Sequence, residues 1–348
     1  MDFFIDAEPR TTLLTRLNYA CDLRVFFRYL QQTREGLADK PPRDYDLQDI
    51  KSITSREISY YLEYLSLYKY QAETEDAPVI IRSNQNSGKK RKLIALRSFF
   101  KFLQNHGYIS QNPAAVIQIP KLHDKPIVYL EMPDAQRLIS LVETGEALTE
   151  NEKRFHRKTQ VRDSAIVTLL LGTGIRVAEC VSLDINSIDF SENRFLVTRK
   201  GGDSMYLYFN RQVHDVMYTY YLQRKSIIPV KGHERAFFLS LQKRRITTRA
   251  VEKLVEKYTK GLQITAHITP HKLRSTFGTN LYRKTGDIYL VADVLGHKDV
   301  NVTKRHYASI DERKRRLAAD LIDLTPREID DSDSVNPESP KDPPELHQ

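Results

Sequence analysis

A chain of 348 residues and 40.5 kDa is longer than one average domain and shorter than three, so two domains are expected. With 40% hydrophobic and 28% charged residues, 13 Gly and 15 Pro, it has the composition of a folded protein and not of a low-complexity chain. Lys and Arg outnumber Asp and Glu by 54 to 45, a formal net charge of +9, which makes a polyanion the first partner to consider.

Helical periodicity dominates the first third. Leu13, Leu17, Ala20, Leu23, Phe27 and Leu30 recur at three- and four-residue intervals and lay an apolar stripe along a helix over about 12–32. A second helix is predicted from Thr54, where Thr54 and Glu57 form a capping-box pattern and Ile58, Tyr61, Leu62 and Leu65 make the inward stripe. A third covers about 89–104, with Leu93, Leu96, Phe99, Phe100 and Leu103 inward. Its start is strongly basic, Lys89, Lys90, Arg91 and Lys92, followed by Arg97 and Lys101. Such a run reads either as a solvated face or as a DNA-gripping one. Prolines from 113 to 126 mark an extended stretch, which places a linker at 119–128 after a helical domain over 1–118.

The second domain, 129–325, opens with a helix at about 134–142. A hydrophilic insertion at 145–160 reads as an exposed loop, and 161–171 as a strongly apolar helix that Gly172 and Gly174 break. Another helix is predicted at 176–183. Period-two alternation at Phe195, Val197, Tyr206 and Tyr208, around Gly201 and Gly202, predicts a β-hairpin with a flexible turn. Helices follow at about 211–226, 248–258, 271–285, 288–294 and 312–324. The expected class is mainly α with a small antiparallel sheet. From 326 to 348 there are seven acids against Arg327 and Lys341, a net of −5, which leaves +14 on residues 1–325. That segment reads as a disordered acidic tail.

No apolar run approaches the roughly 20 residues needed to cross a bilayer. The N-terminus carries acids in place of the basic region of a signal peptide. Cys21 and Cys180 are too few for a disulfide framework or a zinc finger, so a reducing cytoplasm is the expected location. There is no G-x-x-x-x-G-K-[ST] loop, and the segment from His267 to His271 lacks the Glu of H-E-x-x-H, while Pro270 prevents the helix that would pair the two histidines.

Taken singly, the polar motifs of the second domain are weak. Arg176 follows a Gly-rich break, Lys200 sits at a hairpin tip, His271 and Arg274 stand at i and i+3, and His297 follows Leu295 and Gly296. Taken in order, with Glu179 three residues after Arg176 and with Thr303 and Tyr307 after His297, they make a sequence that resembles the tyrosine recombinase (phage integrase) family over essentially the whole chain. Within it the chain is similar to the Xer recombinases, most of all the single-recombinase XerS type, through Val197 to Gly202, Ala236 to Leu239, Thr269 to Arg274 and the insertion before Val161. Ser275 stands where many members have a second His. Tyr307 lies ten residues past His297, one more than in many Xer proteins and common among transposon integrases.

The resemblance implies a two-domain C-shaped clamp, a helical core-binding domain at 1–118 and a catalytic domain at 129–325. Its expected catalytic residues are Arg176, Lys200, His271, Arg274, His297 and Tyr307. Arg176 and Arg274 would clamp the phosphate with His297 as a further donor, Tyr307 would attack, Lys200 would protonate the leaving 5' oxygen, and His271 would exchange a proton with the tyrosine. Glu179 would orient a neighbour. Arginine suits the clamp because its planar fork donates two hydrogen bonds and stays charged while phosphate oxygens gain negative charge. No cofactor, metal or ATP is expected. The implied partners are duplex DNA with a palindromic core site, gripped by Lys89, Lys90, Arg91, Lys92, Arg97 and Lys101, three further copies of the chain in a tetramer, with the helix at 312–324 docking on the neighbouring subunit, and an FtsK-like translocase. Chromosome-dimer resolution and mobile-element integration both stay open. So do a non-catalytic helical DNA-binding regulator, which would have no use for Tyr307 and Lys200, and a metal-dependent nuclease, for which the chain lacks an acidic ligand cluster.

Overall fold

A computed structural model describes residues 2–7, 11–70, 78–121, 127–199, 202–297, 299–301 and 303. The chain divides into two compact units, Met1–Asp124 and Lys125–Gln348. The first contains α1 (Asp2–Asp6), α2 (Leu13–Thr33), α3 (Leu47–Lys51), α4 (Ser55–Tyr64), the strands β1 (Tyr68–Tyr70) and β2 (Ile80–Arg82), and α5 (Asn86–Asn105). Thr54 caps α4 as its sequence pattern predicts: its hydroxyl accepts the Glu57 N–H while the Glu57 carboxylate takes the Thr54 N–H at 2.7 Å. The core gathers Phe26 and Leu30 from α2, Ile58 and Tyr61 from α4, and Leu93, Leu96 and Phe100 from α5. The antiparallel β1–β2 pair, in register Lys69 to Ile81, was not expected from the sequence.

The second unit holds α6 (Met132–Thr144), α7 (Glu150–Thr173), α8 (Val177–Ser182), β3 (Ile188–Asp189), β4 (Arg194–Thr198), β5 (Ser204–Tyr208), α9 (Arg211–Lys225), α10 (Thr248–Thr259), α11 (Pro270–Thr285) and α12 (Ile288–Leu295). The strands form an antiparallel meander, β3-β4-β5, with Val197 opposite Met205 and Thr198 opposite Ser204. Helix α7 lies in the middle of the core, where Ala165, Ile166, Val167, Leu169 and Leu170 are fully buried, joined by Phe195, Met217, Phe237 and Phe238. The mainly helical fold with a small antiparallel sheet is therefore as expected.

One expectation is corrected. The insertion at 145–160 is not a loop from 150 onward: it forms the first half of α7, capped by Thr149, whose hydroxyl takes the Glu152 N–H. Its inward side is polar. Thr159 donates to Asp163 at 2.9 Å and the Tyr258 hydroxyl donates to Asp163 at 3.0 Å, which leaves that hydroxyl to accept from His156 Nδ1 at 2.9 Å. Arg162 and Lys257 supply the positive charge facing Asp163. A buried stripe made of His, Thr and Asp at helical spacing is satisfied by hydrogen bonds and not by apolar contact, so hydropathy does not reveal it. The helix expected at 312–324 and the acidic tail lie outside the described residues.

Among the described residues no helix is long and apolar enough to cross a membrane.

Candidate active site

Helix α7 ends at Gly174, whose φ of +62° gives the left-handed C-cap. A Cβ at this position would also meet the Phe277 ring at 2.5 Å, so glycine serves both the turn and the close approach of α11. Arg176 follows two residues on as the N-cap of α8. The Glu179 carboxylate, almost wholly buried, accepts the Arg176 backbone N–H at 3.0 Å and its Nη1 at 2.8 Å. The other arm of Arg176, Nη2, donates to the Gly296 carbonyl at 2.9 Å.

Pro270 begins α11 at a position where the missing N–H costs nothing. His271 is exposed in the first turn, and its carbonyl accepts the Ser275 hydroxyl at 3.1 Å. Arg274, one turn on, is 4% exposed and donates to the carbonyls of Gly174 and Leu295. The two arginines, far apart in sequence, thus meet at the turns that end α7 and α12. Helix α12 closes with Gly296 at φ +61°, and His297 comes next, half-buried, with Nδ1 2.7 Å from the hydroxyl of the buried Thr303.

Arg199, which the sequence reading passed over as a site residue, joins this cluster. It is 8% exposed and donates to Leu295 O at 2.8 Å, Val294 O at 3.2 Å and Glu179 Oε1 at 3.4 Å. Burial, foremost, and the neighbouring Arg176 charge lower its pKa, while Glu179 opposes them. A signal was available: 199 continues the period-two series of Phe195 and Val197 on the inward face of β4. Three guanidinium groups therefore satisfy the carbonyls at the C-terminus of α12, where the helix leaves acceptors unpaired and its dipole favours cations. Lys200 and Tyr307 lie outside the described residues. Among those described, no group of three or more His, Cys, Asp or Glu could hold a metal ion.

The basic run falls on α5. Lys92 is buried, with its ammonium 3.1 Å from the Asp22 carboxylate, and Arg97 donates to the carbonyls of Ala114, Ala115 and Ile117. These two are taken up within the unit, which corrects the expectation of an outward, duplex-gripping role for them. Arg91 also reaches Asp22, at 2.6 Å, from an exposed position, and Lys89 donates to the Ser66 hydroxyl at 2.7 Å. Lys101 is exposed and Lys90 half-exposed.

Arginine forks gathered on helix and turn backbone, in a basic and mainly helical chain, are the kind of groups with which a protein can hold a phosphate of a polyanion. The model of the phage integrase family matches residues 134–314. The chain belongs to that family of tyrosine recombinases, enzymes that cut and rejoin DNA. It is 27% identical over 304 residues to tyrosine recombinase XerC of Oceanobacillus iheyensis, covering 86% of this chain and 87% of that one. Tyrosine recombinase XerC of Thermodesulfovibrio yellowstonii is 30% identical over 229 residues, 65% of this chain and 72% of its own. The fold is shared with the XerH site-specific recombinase bound to palindromic difH substrate in a post-cleavage complex, at 19% identity and TM-score 0.63 over 89% of this chain and 80% of that one. It is shared equally with the Tn1549 transposon integrase in complex with transposon right end DNA, at 20% identity and TM-score 0.63 over 91% and 98%.

Proposed function

We propose that this chain is a site-specific recombinase of the Xer kind that resolves chromosome dimers through a 3'-phosphotyrosyl intermediate on Tyr307. The convergence of Arg176 and Arg274 on the turns at Gly174, Leu295 and Gly296 carries the reading, because it brings two guanidinium groups to one place. In this reading the Tyr307 oxygen attacks the scissile phosphorus and gives its proton to His271. The bond from phosphorus to the 5' oxygen breaks as Lys200 protonates that oxygen. Arg176, Arg274 and His297 stabilise the added charge on the non-bridging oxygens more in the transition state than in the ground state. The phosphotyrosyl bond keeps the energy of the phosphodiester, so a 5' hydroxyl of a partner strand reverses the step without ATP or a metal.

The DNA is a palindromic core site, as it is for the XerH recombinase on its palindromic difH substrate. Lys89, Lys90, Arg91 and Lys101 contact its backbone, and four copies assemble on two duplexes in the cytoplasm, with an FtsK-like translocase as activator. A suicide duplex nicked beside the cleavage site tests the chemistry: a covalent adduct should form in EDTA without ATP and vanish in Tyr307→Phe. No adduct, or one that survives the substitution, would sink the reading. The spacing of Tyr307 from His297 favours a second reading, integration of a mobile element. A cell-division defect with dimeric chromosomes on deletion of the gene supports the first, and loss of element excision the second.

A further inference from the structure

We propose that the outward face of the β3-β4-β5 meander stacks bases of an unpaired DNA strand on Tyr206 and Tyr208, with Arg194 as the accompanying cation. The inference deepens the recombinase reading and rests on it, since strands that are cut and exchanged between duplexes are unpaired on the way. Alternation splits the meander into two faces: Phe195, Val197 and Leu207 enter the core, and the residues between them face out. The register sets the outward residues in three rows. Asp189, Arg194 and Tyr208 stand side by side, then Leu196 and Tyr206, then Thr198 and Ser204, whose hydroxyls meet at 3.3 Å. The last row lies one residue before Arg199, so the face begins beside the guanidinium cluster at the end of α12.

An antiparallel sheet that shows one face to water normally carries polar residues there. Here two rows present large rings, Tyr206 at 47% and Tyr208 at 67% exposure, with Leu196 exposed beside them. Such a patch marks a place of contact, and its chemistry selects the partner. The Arg194 guanidinium lies 4.6 Å from the centre of the Tyr206 ring, held at the surface by Asp189 at 3.4 Å. Asp189 is itself taken up by the turn after β3, accepting from the Ser191 hydroxyl at 2.6 Å and from the N–H groups of Ser191 and Glu192 at 3.1 Å. Rings with an arginine among them suit bases joined by phosphates, because the rings take the base faces and the cation favours the anionic chain. An apolar protein segment laid here would cover Arg194 and strip it of water at a cost. Two residues apart on one strand, the rings stand about 6.8 Å from each other, twice the roughly 3.4 Å rise of nucleotides in a duplex. Nucleotides that have come apart can therefore lie one on each ring. In an intact duplex the base faces are covered and only the edges reach a protein, so a flat aromatic platform finds no ligand there.

The test measures, by fluorescence anisotropy, the affinity of the full chain for a labelled duplex that carries a short unpaired bubble and for the same duplex fully paired. Wild type should prefer the bubble. Tyr208→Ala and Tyr206→Ala should each lose roughly tenfold of that preference, the loss of one base on one ring. Tyr208→Phe should keep it within about twofold, because a phenyl face stacks as a phenol face does. The preference is a ratio taken on one preparation, so a fraction of misfolded protein lowers both signals and leaves it unchanged. A wild type without preference, or an undiminished preference in the alanine variants, overturns the proposal. So does a loss in Tyr208→Phe equal to that in Tyr208→Ala, which would make the contact a hydroxyl on a phosphate. None of these outcomes depends on cleavage. Absence of a covalent adduct from the wild-type chain on the nicked suicide duplex overturns the recombinase reading, and with it the strand-exchange role given to this face, whatever the bubble assay shows.

Discussion

Asp22→Asn should damage the first unit more than any substitution in the exposed part of the basic run. Asp22 and Lys92 are both almost wholly buried, their side chains 2% and 6% exposed, and the second partner of Asp22, Arg91, is half in solvent. Asparagine keeps the shape and removes the charge, which leaves the Lys92 ammonium inside the unit without a counter-ion. Breaking a buried pair from one side costs about 3–5 kcal/mol. At about 1.36 kcal/mol per power of ten, amide exchange through opening of this unit should accelerate by more than about 10²-fold. Lys92→Met should cost less than half as much, since Asp22 retains Arg91, and adding it to Asp22→Asn should recover part of the loss. Exchange followed by mass spectrometry on the intact chain reads α2 and α5 directly. DNA binding gives an independent reading: the slope of log affinity against log salt, about −0.9 per neutralised phosphate, should not move in Lys92→Met. Exchange within threefold of wild type in Asp22→Asn, or a slope shallower by about 0.9 in Lys92→Met, would refute the assignment of Lys92 to the interior.

Glu179→Gln leaves one acceptor oxygen where two now take the Arg176 N–H and Nη1, and removes a charge shared by two guanidinium groups; with hydrogen bonds to charged groups contributing about 1.5–3 kcal/mol, adduct formation should slow by roughly ten- to a hundredfold while filter-binding affinity for DNA holds. Gly296→Ala meets both a positive φ and the Arg199 guanidinium, so it should lose at least the roughly 1–2 kcal/mol of left-handed strain and slow cleavage, whereas Gly202→Ala, strained but with open space around it, should lose only the strain; melting curves and adduct rates separate the two. Burial first, then the Lys257 charge, lowers the pKa of His156 below its ordinary 6.5, against the pull of Asp163. The unfolded chain therefore takes up the proton more readily, and stability of the second unit should rise with pH through the window just below 6.5 and fall as the medium is acidified through it. His156→Gln should remove that increment, seen as a shallower change of melting temperature between pH 5 and pH 7.

Much of the helical scaffold is legible in the chain because its buried stripes are apolar, and α4, with Thr54 and Glu57 at its head, is legible to its first residue. The first half of α7 is not, because what it buries is His156, Thr159 and Asp163, and the groups that satisfy them stand on α10, far along the sequence. Lys92 misleads for the same reason: its partner Asp22 is on a different helix. In the site, residue types and order point to Arg176, Arg274 and Glu179, and the structure gathers these around the end of α12. Arg199 continues the inward register of β4 just past its end, but period-two reasoning treats inward positions as apolar, and it is the carbonyls at Val294 and Leu295 together with the Glu179 carboxylate that make a charge tolerable there.

Those carbonyls also change what an alanine scan of this site would measure. Arg176 and Arg274 each tie down the loop that the other depends on: Arg176 holds the turn after α12, and Arg274 holds both that turn and the one that introduces Arg176. In the proposed reaction, truncating either removes a cation from the clamp and loosens the seat of its partner at once, so single-variant losses should sum to more than the double variant loses. Guanidinium ion supplied in the medium can replace the missing charge but not the tether between two loops, and the part of the activity that it fails to restore is a measure of the tether.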